Sequence, residues 1–338
     1  MSRIAILGAG AWGTALALSL ARRGGHELIL WSHSVPLAEQ LSDVGENLPS
    51  LPGFTLPADI FVTSDLPRAI FEADILLCVT PSQHLRGVIT HIAPLLTREQ
   101  VILSATKGIE ETTFLRMSQV IASVTGNPAA RNPIAVLSGP SFAQEVASGS
   151  PTAIVVATAS PNDPALSQMI QKEFTSPTLR VYTNDDAIGV ELGGALKNVI
   201  ALAAGIVHGL NLGHNSAAAL ITRGMAEMTR LAVACGARRQ TLAGLSGIGD
   251  LVLTCTGPLS RNRAVGIELG RGRQLPDILS GLHGKVAEGV HTTTAALGLA
   301  ARYSVEMPIT EQMNAILHHN RSPKDAIRGL MSRPGRDE

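Results

Sequence analysis

The chain opens on Ile4-Ala5-Ile6-Leu7-Gly8-Ala9-Gly10-Ala11-Trp12-Gly13-Thr14-Ala15-Leu16-Ala17, and no other stretch restricts its fold as tightly. An apolar run of strand length meets glycines spaced G-x-G-x-x-G and passes into an Ala/Leu run of helical period. A chain that leaves a strand, turns sharply and enters a helix is set up for a β–α–β unit with parallel strands. Each glycine has a task there. Gly8 permits the tight bend, Gly10 lets a ligand approach the backbone, and Gly13 lets the helix lie close on the strand. The helix start offers unpaired N–H groups to a pyrophosphate. The motif follows a strand, and a second strand is expected to end near Trp31, so a dinucleotide is the ligand it suits. A tight turn without ligand is the plain alternative.

Strands are expected at Ile4–Gly8, Glu27–Trp31, Ile60–Thr63, Ile75–Thr80, Val101–Ala105, Ile134–Ser138, Ala153–Ala157 and Thr178–Tyr182. They are apolar on both faces and separated by helix-length segments, which implies an α/β fold with a doubly wound, mainly parallel sheet. The polar run Thr183–Asp186 ends the pattern, and from Ala187 onward the Ala/Leu-rich segments have period 3.6. Helices are expected near 187–208, 216–235, 261–271, 289–302, 309–318 and 323–331. The 338 residues thus suggest two domains. Residues 1–186 would form a Rossmann-type dinucleotide-binding domain, and 187–338 an all-helical domain for substrate and catalysis.

Composition removes several other classes of function. With 27 Lys+Arg against 27 Asp+Glu, no net field draws in nucleic acid or an anionic membrane. Aromatics at 3% are too few for a base-stacking platform. Charged residues at 16% fall below the usual ~25%, which leaves room for a buried homodimer interface. Cys78, Cys235 and Cys255 have no C-x-x-C spacing, so neither a disulfide framework nor a metal cluster is expected. No secretory leader is legible at the start, and the longest apolar run, Val199–Val207, is far below the ~20 residues of a membrane span. A reducing, cytoplasmic location is the expectation.

Beyond the second strand stands Ser32-His33-Ser34, where an Asp or Glu would reserve the site for NAD. Two hydroxyls and an imidazole could bond a 2′-phosphate, so NADP is expected to be accepted alongside NAD. Lys107 follows the fifth strand, at the end of the sheet where such folds bind ligands, although a solvated lysine would look the same. Ser141 and Gln144 fit an S-x-x-Q capping box at a helix start.

Lys197 sits in a helix apolar around most of its circumference. A buried ammonium costs several kcal/mol unless paired or discharged, and a lysine so placed suits proton transfer. Its alternative is a lysine snorkelling from the helix edge. Asp250, in an apolar setting, could orient it. Ser260-Arg261-Asn262-Arg263 offers a hydroxyl, a forked guanidinium and a carboxamide to phosphate oxygens, or is an ordinary basic helix start.

Taken in order, Gly8–Ala17, Ala105–Gly108, Ser138–Ala143, Gly193–Ile200, Gly249–Thr256, Ser260–Arg263 and Val286–Gly289 resemble the NAD(P)-dependent glycerol-3-phosphate dehydrogenases in their bacterial form. The resemblance spans nearly the whole chain. It implies interconversion of sn-glycerol 3-phosphate and dihydroxyacetone phosphate with NAD(P), feeding phospholipid synthesis, without a metal. It places the proton-handling lysine at Lys197, and substrate contacts at Lys107, Gly139, Ser141, Asp250, Ser260, Arg261 and Asn262. Cofactor contacts fall at Trp12, His33, Lys107, Ala143, Arg261, Val286 and Glu288. Ala11 stands where many members carry serine, which removes one side-chain contact and leaves the backbone cradle. Competing readings are a dehydrogenase of a 2- or 3-hydroxy acid and a dinucleotide-sensing regulator.

Overall fold

The computed structural model describes residues 1–97, 99–126, 132–159, 163–282 and 286–335. The chain separates into two compact units, Met1–Lys107 with Leu115–Glu191, and Gly108–Phe114 with Leu192–Glu338.

The strands are β1 (Ser2–Leu7), β2 (His26–Trp31), β3 (Glu46–Asn47), β4 (Leu51–Thr55), β5 (Ile60–Thr63), β6 (Ile75–Cys78), β7 (Val101–Ser104), β8 (Ile134–Ser138), β9 (Thr152–Thr158) and β10 (Leu179–Asn184). Eight of them form one sheet in the order β10-β9-β8-β7-β6-β1-β2-β5, and these are the eight expected from sequence. Pairing is parallel except for β8 with β9, where Ala135 faces Thr158. Both faces are buried with period 2. Ile4, Ile6, Leu28 and Leu30 belong to one core, while Ala5, Leu7, Ile29 and Trp31 belong to the other. The chain runs outward from β1 to β2 and β5, then crosses back to β6 on the other side of β1. That reversal opens a crevice beyond the carboxyl ends of β1 and β6, where the glycine turn lies. The short ribbon of β3 and β4 had no sequence signal, since its strands are too short to show alternation.

The second unit is helical. It holds Gly213–Ala234, Arg261–Gly270, Glu288–Arg302, Pro308–His318, Pro323–Met331 and the portion of Ala187–Gly209 from Leu192 onward. It also holds short helices at Arg239–Leu242, Asp250–Thr256 and Leu275–Ser280 and a π-helical turn at Leu245–Gly249, none of which the sequence reading separated. The helices Ala187–Gly209 and Arg261–Gly270 cross with backbones in close approach. A Cβ on Gly205 would lie 2.1 Å from the Arg263 carbonyl oxygen, and one on Gly266 would lie 2.0 Å from that of Leu202. Glycine is the residue that permits this approach, and the crossing sets Arg261 and Asn262 relative to Lys197 and Asn198. The helix Ala187–Gly209 is long and apolar enough to span a bilayer, yet 94% of its most apolar window is buried inside the protein.

Candidate active site

The helix Ala11–Arg23 begins at Gly10 with no side chain capping it, so its first N–H groups are left to the backbone turn or a ligand. Gly8 has φ +134°, and a Cβ there would lie 2.8 Å from the Val79 carbonyl oxygen beyond β6. A Cβ on Gly13 would lie 1.9 Å from the Gly8 oxygen. At Gly10 a Cβ would meet nothing within 4 Å. Two glycines are therefore demanded by packing and the middle one faces open space, which suits a pyrophosphate lying on the turn. The Trp12 indole Nε1 beside it is buried without a protein partner. The nicotinamide dinucleotide expected from sequence fits this cradle.

At the end of β2, Ser32 Oγ bonds the Ser34 carbonyl at 3.1 Å and accepts from the Ser34 N–H. Ser34 caps the helix Val35–Val44, its hydroxyl accepting from Leu37 N–H at 3.3 Å. Both hydroxyls thus serve the local turn. His33 is exposed and stands edge-on to Trp31, ring centroids 6.2 Å apart, so it is the side chain of the three best placed for a ligand phosphate.

Lys107, Gly139 and Ser141 come together. The Gly139 carbonyl accepts from Lys107 Nζ at 2.9 Å and from Ser141 Oγ at 3.0 Å. Gly139 has φ +131° and abuts β9, a Cβ there lying 2.9 Å from Ile154 Cα. The capping box read at Ser141 and Gln144 is corrected: the helix Ala143–Ala147 starts after Phe142 and has no side-chain cap. Ser141 instead folds back on the turn.

In the helical unit, Lys197 is 6% exposed and Asp250 1% exposed. Lys197 Nζ lies 3.1 Å from Asp250 Oδ1 and donates to Thr254 Oγ1 at 2.7 Å. Thr254 in turn donates to the Asp250 carbonyl at 2.6 Å, one helical turn back. A snorkelling lysine is thereby excluded. Asn262 Nδ2 donates to Asn198 Oδ1 at 2.9 Å, and its Oδ1 accepts from Gly289 N–H at 3.0 Å. That carboxamide ties the neighbours of Lys197, Arg261 and Glu288 together. Ser260 caps the helix Arg261–Gly270, accepting from Arg263 N–H at 3.2 Å. Arg261 reaches solvent, yet the protein around its guanidinium desolvates it enough to lower its pKa, and the Glu288 carboxylate opposes that shift. Val286 is half-buried just before the helix Glu288–Arg302.

Residues 3–163 match the family described as NAD-dependent glycerol-3-phosphate dehydrogenase N-terminus, and residues 186–328 match its C-terminus. The chain belongs to this family. A glycerol-3-phosphate dehydrogenase [NAD(P)+] of Acidobacterium capsulatum is 61% identical, covering 100% of both chains. That of Koribacter versatilis is 56% identical over 100% of this chain and 99% of its own. The crystal structure of a glycerol-3-phosphate dehydrogenase from Coxiella burnetii superposes with a TM-score of 0.93 at 41% identity, over 98% of this chain and 99% of that one. Like its family, the chain is an NAD(P)-dependent oxidoreductase.

Sequence reasoning gave no role to three groups in this member of the family. Thr254 completes the lysine's shell, and its spacing of four from Asp250 on one helix was the available signal. Asn198, inside the Gly193–Ile200 stretch, accepts from the Asn262 carboxamide. Glu191 is half-buried and accepts from Arg116 and from the Ser118 N–H and hydroxyl, the latter two at 2.7 Å. It lies 73 residues from Ser118 in sequence, beyond any local pattern. Cys255 neighbours the lysine pair, but burial pushes its thiol up to about 12, so it is no nucleophile at neutral pH. Among the described residues, no group of three or more His, Cys, Asp or Glu side chains could hold a metal ion.

Proposed function

We propose that the chain interconverts dihydroxyacetone phosphate and sn-glycerol 3-phosphate, with Lys197 moving the proton at the C2 oxygen. The bound nicotinamide supplies or accepts the hydride at C2. Lys197, as ammonium, donates to the developing alkoxide during reduction and, once neutral, removes the hydroxyl proton during oxidation. Asp250 and Thr254 fix the amine's direction, so its donors are already aligned when charge appears on oxygen. Lys107, held by the Gly139 carbonyl together with Ser141, is the substrate-binding cation of the sheet unit in this reading. Arg261 takes the remote phosphate as a forked donor, and binding of that group orients C2. Asn262 spends one Nδ2 hydrogen on Asn198 and its Oδ1 on Gly289, which holds Arg261 in place and leaves the second Nδ2 hydrogen to offer the phosphate. Ser260 contributes by capping the same helix.

Gly8, Gly10, Ala11, Trp12 and Gly13 would hold the dinucleotide's pyrophosphate, with His33 at the adenosine ribose. Ala143, Val286, Glu288 and the Lys107 and Arg261 cations are the remaining cofactor contacts in this reading. A cytoplasmic homodimer supplying glycerol phosphate to lipid synthesis completes it.

The observation carrying the proposal is the buried Lys197–Asp250 pair, whose desolvation is costly and has no evident purpose in a protein that only senses a dinucleotide. Following NADPH absorbance with dihydroxyacetone phosphate tests it. Turnover with this substrate and none with its dephosphorylated analogue is expected. Oxidation of NADPH only with a 2-hydroxy acid's keto form would reassign the substrate.

A further inference from the structure

The ribbon formed by β3 and β4 delivers one side chain to the cofactor turn. Asn47 is 0% exposed, and its amide Nδ2 donates to the Ala9 carbonyl at 2.9 Å and to Thr14 Oγ1 at 2.7 Å. Its Oδ1 accepts from Ser50 N–H at 3.2 Å, which fixes the ribbon's turn. Ala9 and Thr14 bracket the segment Gly10–Gly13, so both Nδ2 hydrogens are spent on the two ends of the glycine turn. The ribbon has a second tie of its own, Glu46 Oε1 accepting from Gly53 N–H at 2.6 Å.

A glycine-rich turn has little side-chain packing to hold it in one shape, and glycine loses more conformational entropy on ordering than any other residue. A Cβ at Gly10 would meet nothing within 4 Å, so no packing at that position restrains the turn. The Ala9 carbonyl, if left without a donor in this buried spot, would also cost the desolvation of an unpaired acceptor. Asn47 answers both needs at once.

We propose that Asn47 is the positioning residue of the dinucleotide cradle, presetting the Ala9–Thr14 backbone for a pyrophosphate it does not itself touch. The proposal rests on the reading of that turn as the cofactor site. Preordering the turn removes an entropic cost from binding, so Asn47 acts on cofactor affinity and leaves the proton chemistry at Lys197 alone.

Asn47→Leu keeps the branching and most of the volume while donating nothing. In fluorescence titrations with NADPH and NADH, this variant is expected to weaken both about tenfold, by the same factor, because the two share the pyrophosphate. kcat at saturating cofactor and the KM for dihydroxyacetone phosphate are expected to stay within about threefold. In the cofactor-free protein, amide exchange at Ala9–Thr14 should quicken. Thr14→Val, which removes only one of the two acceptors, should give a smaller loss of the same kind if Asn47→Leu fails to fold. Unchanged dissociation constants in folded Asn47→Leu, or a loss confined to thermal stability, overturn the proposal. Gly10→Ala separates the two readings. If a methyl in that open space leaves NADPH affinity unchanged, the turn is not the cofactor site; if it weakens NADPH while Asn47→Leu does not, only the role of Asn47 fails.

Discussion

The glycine turn and the lysine pair reach function by opposite physical means. At Gly8, Gly10 and Gly13 the chain removes side chains so that backbone dipoles can meet a ligand, and the packing around them is tight everywhere except at Gly10. At Lys197 and Asp250 the chain does the reverse, burying two charged side chains where water cannot compete. The first region is governed by steric space and by the partial charges of a helix start. The second is governed by desolvation, which makes each partner depend on the other. A substitution in the turn should therefore act through shape, and one at the pair through charge and proton transfer.

Lys197→Ala tests the electrostatic side and has the largest expected effect. kcat should fall by about 10²–10⁴, the span of general acid–base catalysis, while NADPH still binds. The same change strands the Asp250 carboxylate, and breaking a buried pair in this way costs about 3–5 kcal/mol, so the melting temperature should drop as well. Lys197→Met with Asp250→Leu would restore stability without restoring turnover. Near-normal turnover in Lys197→Ala would remove the lysine from the chemistry.

The steric side is tested by contrasting two neighbouring glycines. Gly13→Ala puts a methyl 1.9 Å from the Gly8 carbonyl oxygen, so the helix must move off the strand. Both stability and cofactor binding should fall, by an amount comparable with overpacking a core, about 1–3 kcal/mol. Gly10→Ala has nothing within 4 Å to strike, so its melting temperature should hold while NADPH affinity drops. Equal behaviour of the two variants, read by thermal melts and cofactor titration, would contradict the division of roles among the glycines.

How much of this could be read from sequence follows the same division. The turn was legible because its determinants are consecutive and each glycine has a steric reason. The eight sheet strands were legible because burial on both faces leaves continuous apolar runs, as in Ile75–Cys78. Lys197 and Asp250 were legible as misfits, charges inside apolar segments. What escaped depends on contacts distant in sequence. Asn47 meets Ala9 across 38 residues, and Glu191 meets Ser118 across 73. Gly108–Phe114 packs with the helical unit, where the Phe114 ring leaves no room for a side chain at Gly298 and lies under the Arg302 guanidinium at 4.7 Å. Nothing in those seven residues differs from an ordinary loop. Ser141 misled for the opposite reason, because S-x-x-Q matches a local rule that the backbone turn at Gly139 overrides.

Arg261→Ala is expected to act mainly on substrate affinity. Losing a forked, charge-assisted contact to phosphate should raise the KM for dihydroxyacetone phosphate by about 10–100-fold, with a smaller change in kcat. Asn262→Ala should reproduce part of that loss, since it frees Gly289 N–H and Asn198 Oδ1 and loosens the segment that carries Arg261. The comparison predicts that neither variant changes the pH at which turnover is half-maximal as much as Asp250→Asn does. Steady-state kinetics across pH would show it.

The smallest effect concerns a buried charge with a different partner. Glu227 is 2% exposed, and its carboxylate accepts from Ile309 N–H at 2.5 Å and from Thr310 N–H at 3.3 Å, capping the helix Pro308–His318. Desolvation raises its pKa from 4.5 to about 7, against those hydrogen bonds and the more distant Arg230 guanidinium. The folded state therefore holds this proton more tightly than the unfolded chain does. Its contribution to stability is full below about 4.5 and is lost as pH rises through about 7. Glu227→Gln, neutral at every pH, should cancel that slope, and the wild type should lose a few degrees in melting temperature relative to it between pH 5 and 8. Parallel melting curves for the two proteins would mean that two backbone donors and the Thr310 hydroxyl can hold a carboxylate ionised in this core. The pairing of Lys197 with Asp250 would then serve proton transfer rather than meet a requirement of burial.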